Sequence, residues 1–138
     1  MPPFQLDSRL AADTVEMGRL GPCRVLLMQD ARFPWIILVP EKPDLIELTD
    51  LTPEEEQAVW TAVRQVSTAM QAAFSPIKMN VAALGNMVRQ LHIHIIARQS
   101  DDEAWPNPIW GRGTPKAYDD KGAARIATLR RLLPELQG

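Results

Sequence analysis

Cysteine, histidine and an excess of either charge are all scarce in this sequence, and long apolar runs are missing. A single cysteine, Cys23, among 138 residues excludes an internal disulfide and a zinc site built from several thiolates. Lys and Arg number 15 against 17 Asp and Glu, a net charge of −2. That near-cancellation removes the bulk electrostatic case for nucleic-acid binding. The longest apolar run, residues 34–40, is far too short to cross a bilayer. Residues 1–7 show neither the basic nor the apolar region of a secretory leader, so the expected compartment is the cytoplasm and no membrane is expected as a partner. Repeats, low-complexity tracts and Gly/Ser linkers are also lacking. With 46% hydrophobic residues, the expectation is one globular domain over residues 1–138.

The apolar pattern gives the order of elements. Residues 24–28 and 35–39 are short runs rich in branched side chains, too short for helices, and read as a strand hairpin joined by residues 29–34. Residues 7–13 suit a short helix with Asp7 as its cap. Thr52-Pro53-Glu54-Glu55 is a capping-box start with Pro at the first helical position. Val59, Val63, Val66, Met70 and Phe74 continue it as one apolar stripe until Ser75-Pro76. A strand is expected at 78–84, a turn at Gly85-Asn86, a longer strand at 87–97, a Pro/Trp/Gly-rich loop at 100–118 and a last helix at about 122–134. This order predicts an α+β fold, an antiparallel sheet with a helix packed on one face.

The two histidines, His92 and His94, fall in the strand-like segment Gln90-Leu-His-Ile-His-Ile-Ile-Ala-Arg98. Side chains alternate across a strand. Leu91, Ile93, Ile95 and Ala97 then face the core, and Gln90, His92 and His94 form a polar row on the other side. A pair of imidazoles two residues apart can hold a metal or act in nucleophilic catalysis. A zinc site needs at least a third ligand, which Cys23, Asp30 or one of Asp101, Asp102 and Glu103 would have to supply, and no spacing supports that.

The segment 90–98 resembles the signature of the histidine triad (HIT) superfamily of nucleotide hydrolases and transferases, in which three histidines alternate with apolar residues. The likeness extends upstream, through Asn80 and the Gly85-Asn86-Met87-Val88 turn and the strand pair around residues 30–40, and covers a core of about residues 20–110. It implies attack on the α-phosphorus of a nucleoside phosphoramidate or dinucleoside polyphosphate, a purine nucleotide by expectation. His92 would be the nucleophile and form a nucleotidyl-histidine. His94 would bond the scissile phosphate or leaving group. The Gln90 carbonyl would orient His92. Asp30 would bind the ribose hydroxyls, Asn86 the phosphate, and Asn80 and Arg98 would complete the substrate site. The likeness further implies a homodimer and no metal or other cofactor.

Three positions depart from the pattern: Gln90 replaces the first histidine, Asn86 stands where Gln is usual, and Met87 where a hydroxyl residue is usual. They leave open a second function, a catalytically weakened nucleotide-binding module on the same fold. Arg98 has an alternative partner in Asp101 or Asp102. Trp35 reads as core or pocket wall, Trp105 and Trp110 as packing or as a purine pocket, and Cys23 as a buried small hydrophobe.

Overall fold

A computed structural model describes residues 3–138. Five strands form one antiparallel sheet: β1 (Thr14–Leu20), β2 (Cys23–Met28), β3 (Trp35–Pro40), β4 (Lys78–Ala82) and β5 (Ile93–Arg98), in the order β1-β2-β3-β5-β4. Three helices accompany it: α1 (Ser8–Asp13), α2 (Pro53–Phe74) and α3 (Ala123–Leu132). The α+β class and the hairpin of β2 and β3 are as the sequence predicts.

Helix α2 starts as its residues dictate. The Thr52 side chain accepts from the Glu55 N–H, and the Glu55 carboxylate accepts from the Thr52 N–H, so two orphan donors are satisfied reciprocally. Its stripe of Val59, Val63, Val66 and Met70 packs on one sheet face, against Leu91, Ile93, Ile95 and Ala97. Leu129 and Leu133 of the α3 region close the same core.

The opposite face is not the open polar surface that alternation alone suggests. It carries a second core, in which Leu26, Trp35, Ile37, Val39 and Ile96 from the sheet meet Leu10 of α1 and Ala104 and Ile109 of the following loop. The sheet is buried on both sides over much of its area.

Three strands differ from expectation. Strand β4, expected over 78–84, ends at Ala82. Strand β1 is absent from the sequence reading because a bulge breaks its period. The register slips between Glu16 and Gly18, and the buried residues are Met17 and Leu20, three apart. Gly18 also has φ +140, and a Cβ there would collide with the Gln137 carbonyl. The strand expected over 87–97 begins only at Ile93. The pairing stops there on both sides: β4 ends at Ala82, opposite His94, and the last β3 residue paired with β5 is Leu38, opposite Ile93, although β3 runs on to Pro40 beside β2.

Candidate active site

The end of the ladder is where the two histidines sit. His94 is on β5, opposite Ile37 of β3 and Ala82 of β4; His92 lies just before the strand. Their rings approach to 4.8 Å between centroids, and both residues are buried. The predicted alternation therefore holds from Leu91 to His94, although 91 and 92 precede the strand.

Each ring is held by a partner that fixes which nitrogen carries the proton. His92 Nδ1 lies 2.7 Å from the carbonyl oxygen of Gln90. A carbonyl only accepts, so Nδ1–H donates and Nε2 is left with a free lone pair. His94 Nδ1 lies 3.0 Å from the indole Nε1 of Trp35. An indole N–H only donates, so His94 Nδ1 accepts and its proton sits on Nε2. The two imidazoles are thus of opposite tautomer, one offering a lone pair and its neighbour an N–H. Burial pushes the His94 pKa down to about 3, with the neighbouring His92 adding to the effect, so the ring is neutral at ordinary pH.

A cavity of about 310 Å³ opens beside the pair. Met28, Trp35, Ile37 and Trp110 form its apolar side, Leu10 and Asp13 come from α1, and Asn86 and Met87 from the turn after β4. Trp110 meets His94 edge-on at 5.1 Å between centroids, and its own N–H is buried without a partner among the described residues. Gly85 has φ +85, a left-handed conformation that turns the chain so that Asn86 follows at the cavity rim.

The other predicted site residues are placed differently. Asp30 does not line this cavity. Its carboxylate is buried and bonds the Arg32 guanidinium at 2.8 Å, the Arg32 N–H at 3.1 Å and the Lys116 N–H at 3.2 Å. Burial by itself would raise the Asp30 pKa, but the Arg32 and Lys116 donors hold it below the usual carboxylate range. No oxygen is left facing outward for a sugar diol. Arg98 is buried in a two-pronged bond with Asp102, at 2.7 and 2.9 Å, and its third nitrogen reaches the Asn80 side-chain oxygen at 2.8 Å. Of the two pairings open to Arg98, the salt bridge with Asp102 is the one formed, and Asn80 is part of it rather than of the cavity. The Gln90 side chain is also turned away from the reaction centre: it bonds the backbone of Gln5 and Asp7.

Asp30 and Asp102 do serve the site indirectly. Arg32, gripped by Asp30, donates to the Arg112 carbonyl at 2.8 Å, and Asp102 accepts from the N–H groups of Ala104 and Trp105. These bonds seat the loop that carries Trp110. Leu10 and Asp13 of α1 are site groups that sequence reading did not assign, while Trp35 and Trp110 take the pocket-lining alternative it left open. The β3–β5 register, which only the fold supplies, puts Trp35 diagonally beside His94 on the same face, within reach of a long side chain. Among the described residues no three His, Cys, Asp or Glu side chains converge as a metal set.

An antiparallel sheet that ends in two imidazoles of opposite tautomer, facing an apolar cavity, defines a class of protein equipped for attack by nitrogen beside a ready hydrogen-bond donor. Comparison with known proteins gives the class its family. The HIT domain model matches residues 10–101. A histidine triad protein from Marinobacter aquaeolei VT8 is 44% identical, with a TM-score of 0.93 over 99% of this chain and 100% of the other. One from Bradyrhizobium japonicum is 43% identical, with a TM-score of 0.92 over 96% and 99%. A hypothetical histidine triad nucleotide-binding protein from Sulfolobus tokodaii strain7, at 14% identity, shares the fold with a TM-score of 0.65 over 88% and 84%. A search of curated proteins finds no match. The chain belongs to the HIT domain family.

Proposed function

We propose that this protein is a HIT-type nucleotide hydrolase or nucleotidyl transferase that attacks the α-phosphorus of a nucleoside phosphoramidate or dinucleoside polyphosphate. The observation that carries the reading is the opposite tautomer of the two adjacent rings. The His92 Nε2 lone pair forms a bond to phosphorus as the bond from phosphorus to the leaving nitrogen or oxygen breaks, and the leaving group takes that electron pair. The His94 Nε2–H bonds the phosphoryl or leaving atom, where negative charge grows. The Gln90 carbonyl stabilises the positive charge that develops on His92. The departing group takes a proton from solvent. Water or another hydroxyl acceptor then attacks the same phosphorus and releases a proton to solvent as the phosphorus–nitrogen bond breaks and its electron pair returns to neutral His92. Asn86 at the rim presents its amide to the phosphate, and the apolar cavity receives the base.

A second reading, a nucleotide-binding module with weakened chemistry, is favoured by one observation. The Gln90 side chain is committed elsewhere and the exposed Met87 bears no proton, so neither supplies an acid for the leaving group. A homodimer is supported by the β4 edge, which has no neighbour among the described residues and bears exposed Val81, with exposed Ile77 just before it. Among the described residues no helix is long and apolar enough to cross a membrane. The one thiol, Cys23, is buried and its pKa pushed up to about 12 by that burial and by nearby Glu41, which makes it an unreactive core side chain.

The test is AMP release from adenosine phosphoramidate and from diadenosine polyphosphates, with a chelator present. Wild type should release AMP, and His92→Ala should lower the rate at least about a thousandfold. Equal release by both would remove His92 from the role assigned to it. Nucleotide binding without release would establish the module instead.

A further inference from the structure

The first triad position carries Gln90, and its side chain makes two long-range bonds. Oε1 accepts from the Asp7 N–H at 2.8 Å, and Nε2 donates to the Gln5 carbonyl at 2.8 Å. The carbonyl of one residue and the N–H two residues on point the same way from an extended chain, the pair an antiparallel neighbour would bond. A primary carboxamide carries its acceptor oxygen and one donor N–H side by side, unlike a trans peptide group, whose C=O and N–H point opposite ways, and so one side chain can meet that pair. A neutral imidazole also has one donor and one acceptor, but they diverge across the ring and cannot face both groups at once.

The segment held this way continues into the cavity. The Asp7 carboxylate accepts from the Arg9 N–H and its carbonyl from the Ala11 N–H, starting α1. Leu10 of α1 is buried in the second core beside Trp35 and Ile37, and Leu10 and Asp13 line the cavity that holds His92 and His94. One side chain therefore links the strand end that orients His92, through its backbone carbonyl, to the helix that walls the substrate cavity.

We propose that the Gln90 carboxamide is a positioning residue that ties the N-terminal segment over the cavity, so that Leu10 and Asp13 form the wall on which the base end of the substrate rests. The substitution of the first histidine is then an exchange of one imidazole for a clasp, and its effect falls on substrate binding more than on the chemical step. This rests on the proposed function for its substrate.

The test uses the full chain with Gln90→Ala and Gln90→Glu. Hydrogen exchange at the Asp7 amide and through α1 is read first, with the α2 amides as the check on folding. Turnover of adenosine phosphoramidate and AMP affinity follow. Gln90→Ala should speed exchange at Asp7 and α1 about tenfold and raise KM and the AMP Kd about tenfold, while kcat falls by less than about threefold. Gln90→Glu keeps the acceptor for Asp7 but turns an oxygen toward the Gln5 carbonyl. Once protonated it has a donor again, so the ratio of its AMP Kd to that of wild type should shrink from about pH 8 to about pH 5. A large fall in kcat at constant KM would overturn the proposal, as would unchanged exchange at Asp7 or a Kd ratio independent of pH. A wild-type chain that bound no AMP would overturn the proposed function, and the exchange result alone would then decide the clasp.

Discussion

At the scale of single residues, the chemistry depends on which nitrogen of each ring holds the proton. Trp35 sets it for His94 with one hydrogen bond. Trp35→Phe keeps an aromatic wall but frees Nδ1, so both tautomers become accessible. Turnover should fall about tenfold, mostly in kcat, with the loss visible as averaging of the two His94 nitrogen shifts in NMR. His94 also ties stability to pH. Its folded pKa is depressed to about 3, below the unfolded value near 6.5. Below about pH 6.5 the unfolded chain binds a proton the native ring refuses, so stability falls as pH drops through that window, by up to ~1.4 kcal/mol per unit. Urea unfolding at a series of pH values should show this slope between about pH 6 and pH 4, and His94→Gln should flatten it.

At the scale of elements, the loop after β5 is held by buried charge rather than by regular structure. Asp102 pairs with Arg98 and caps three backbone N–H groups, those of Gln99, Ala104 and Trp105. Asp102→Ala leaves the Arg98 guanidinium buried without its carboxylate and should cost about 3 kcal/mol in denaturant unfolding, because breaking one partner of a buried pair exposes the full desolvation cost. It should also loosen Trp110 and weaken nucleotide binding. Legibility differed among elements for the same kind of reason. Helix α2 was readable because its capping box and stripe are local. Strand β1 was not, because its bulge breaks the two-residue alternation, and the Gln137 carbonyl that packs against Gly18 lies more than a hundred residues along the chain.

At the scale of the whole molecule, the two sheet edges are treated unequally. The β1 edge is met by the C-terminal segment, where Arg19 and Gln137 exchange backbone bonds. The β4 edge has no neighbour among the described residues and carries exposed Ile77 and Val81, with Leu84 and Met87 beyond it. If two chains pair along β4, Val81→Lys should shift sedimentation from dimer to monomer; a wild type that sediments as a monomer would remove the homodimer. The paired imidazoles, the α+β order and the core face of β5 could be read from the chain alone, because side-chain alternation and helix capping act between residues a few positions apart. The side-chain roles of Gln90, Asp30 and Asn80 could not, nor could the Asn80 bond to Arg98, although the Arg98–Asp102 pair, four residues apart, was among the pairings the sequence offered. Each of the three is a polar group whose partner lies in space, across 83 residues for Gln90 and Asp7, 86 for Asp30 and Lys116, and 18 for Asn80 and Arg98. A buried carboxylate or guanidinium must find partners for all its bonding atoms, and only the folded chain decides whether those partners are protein or substrate.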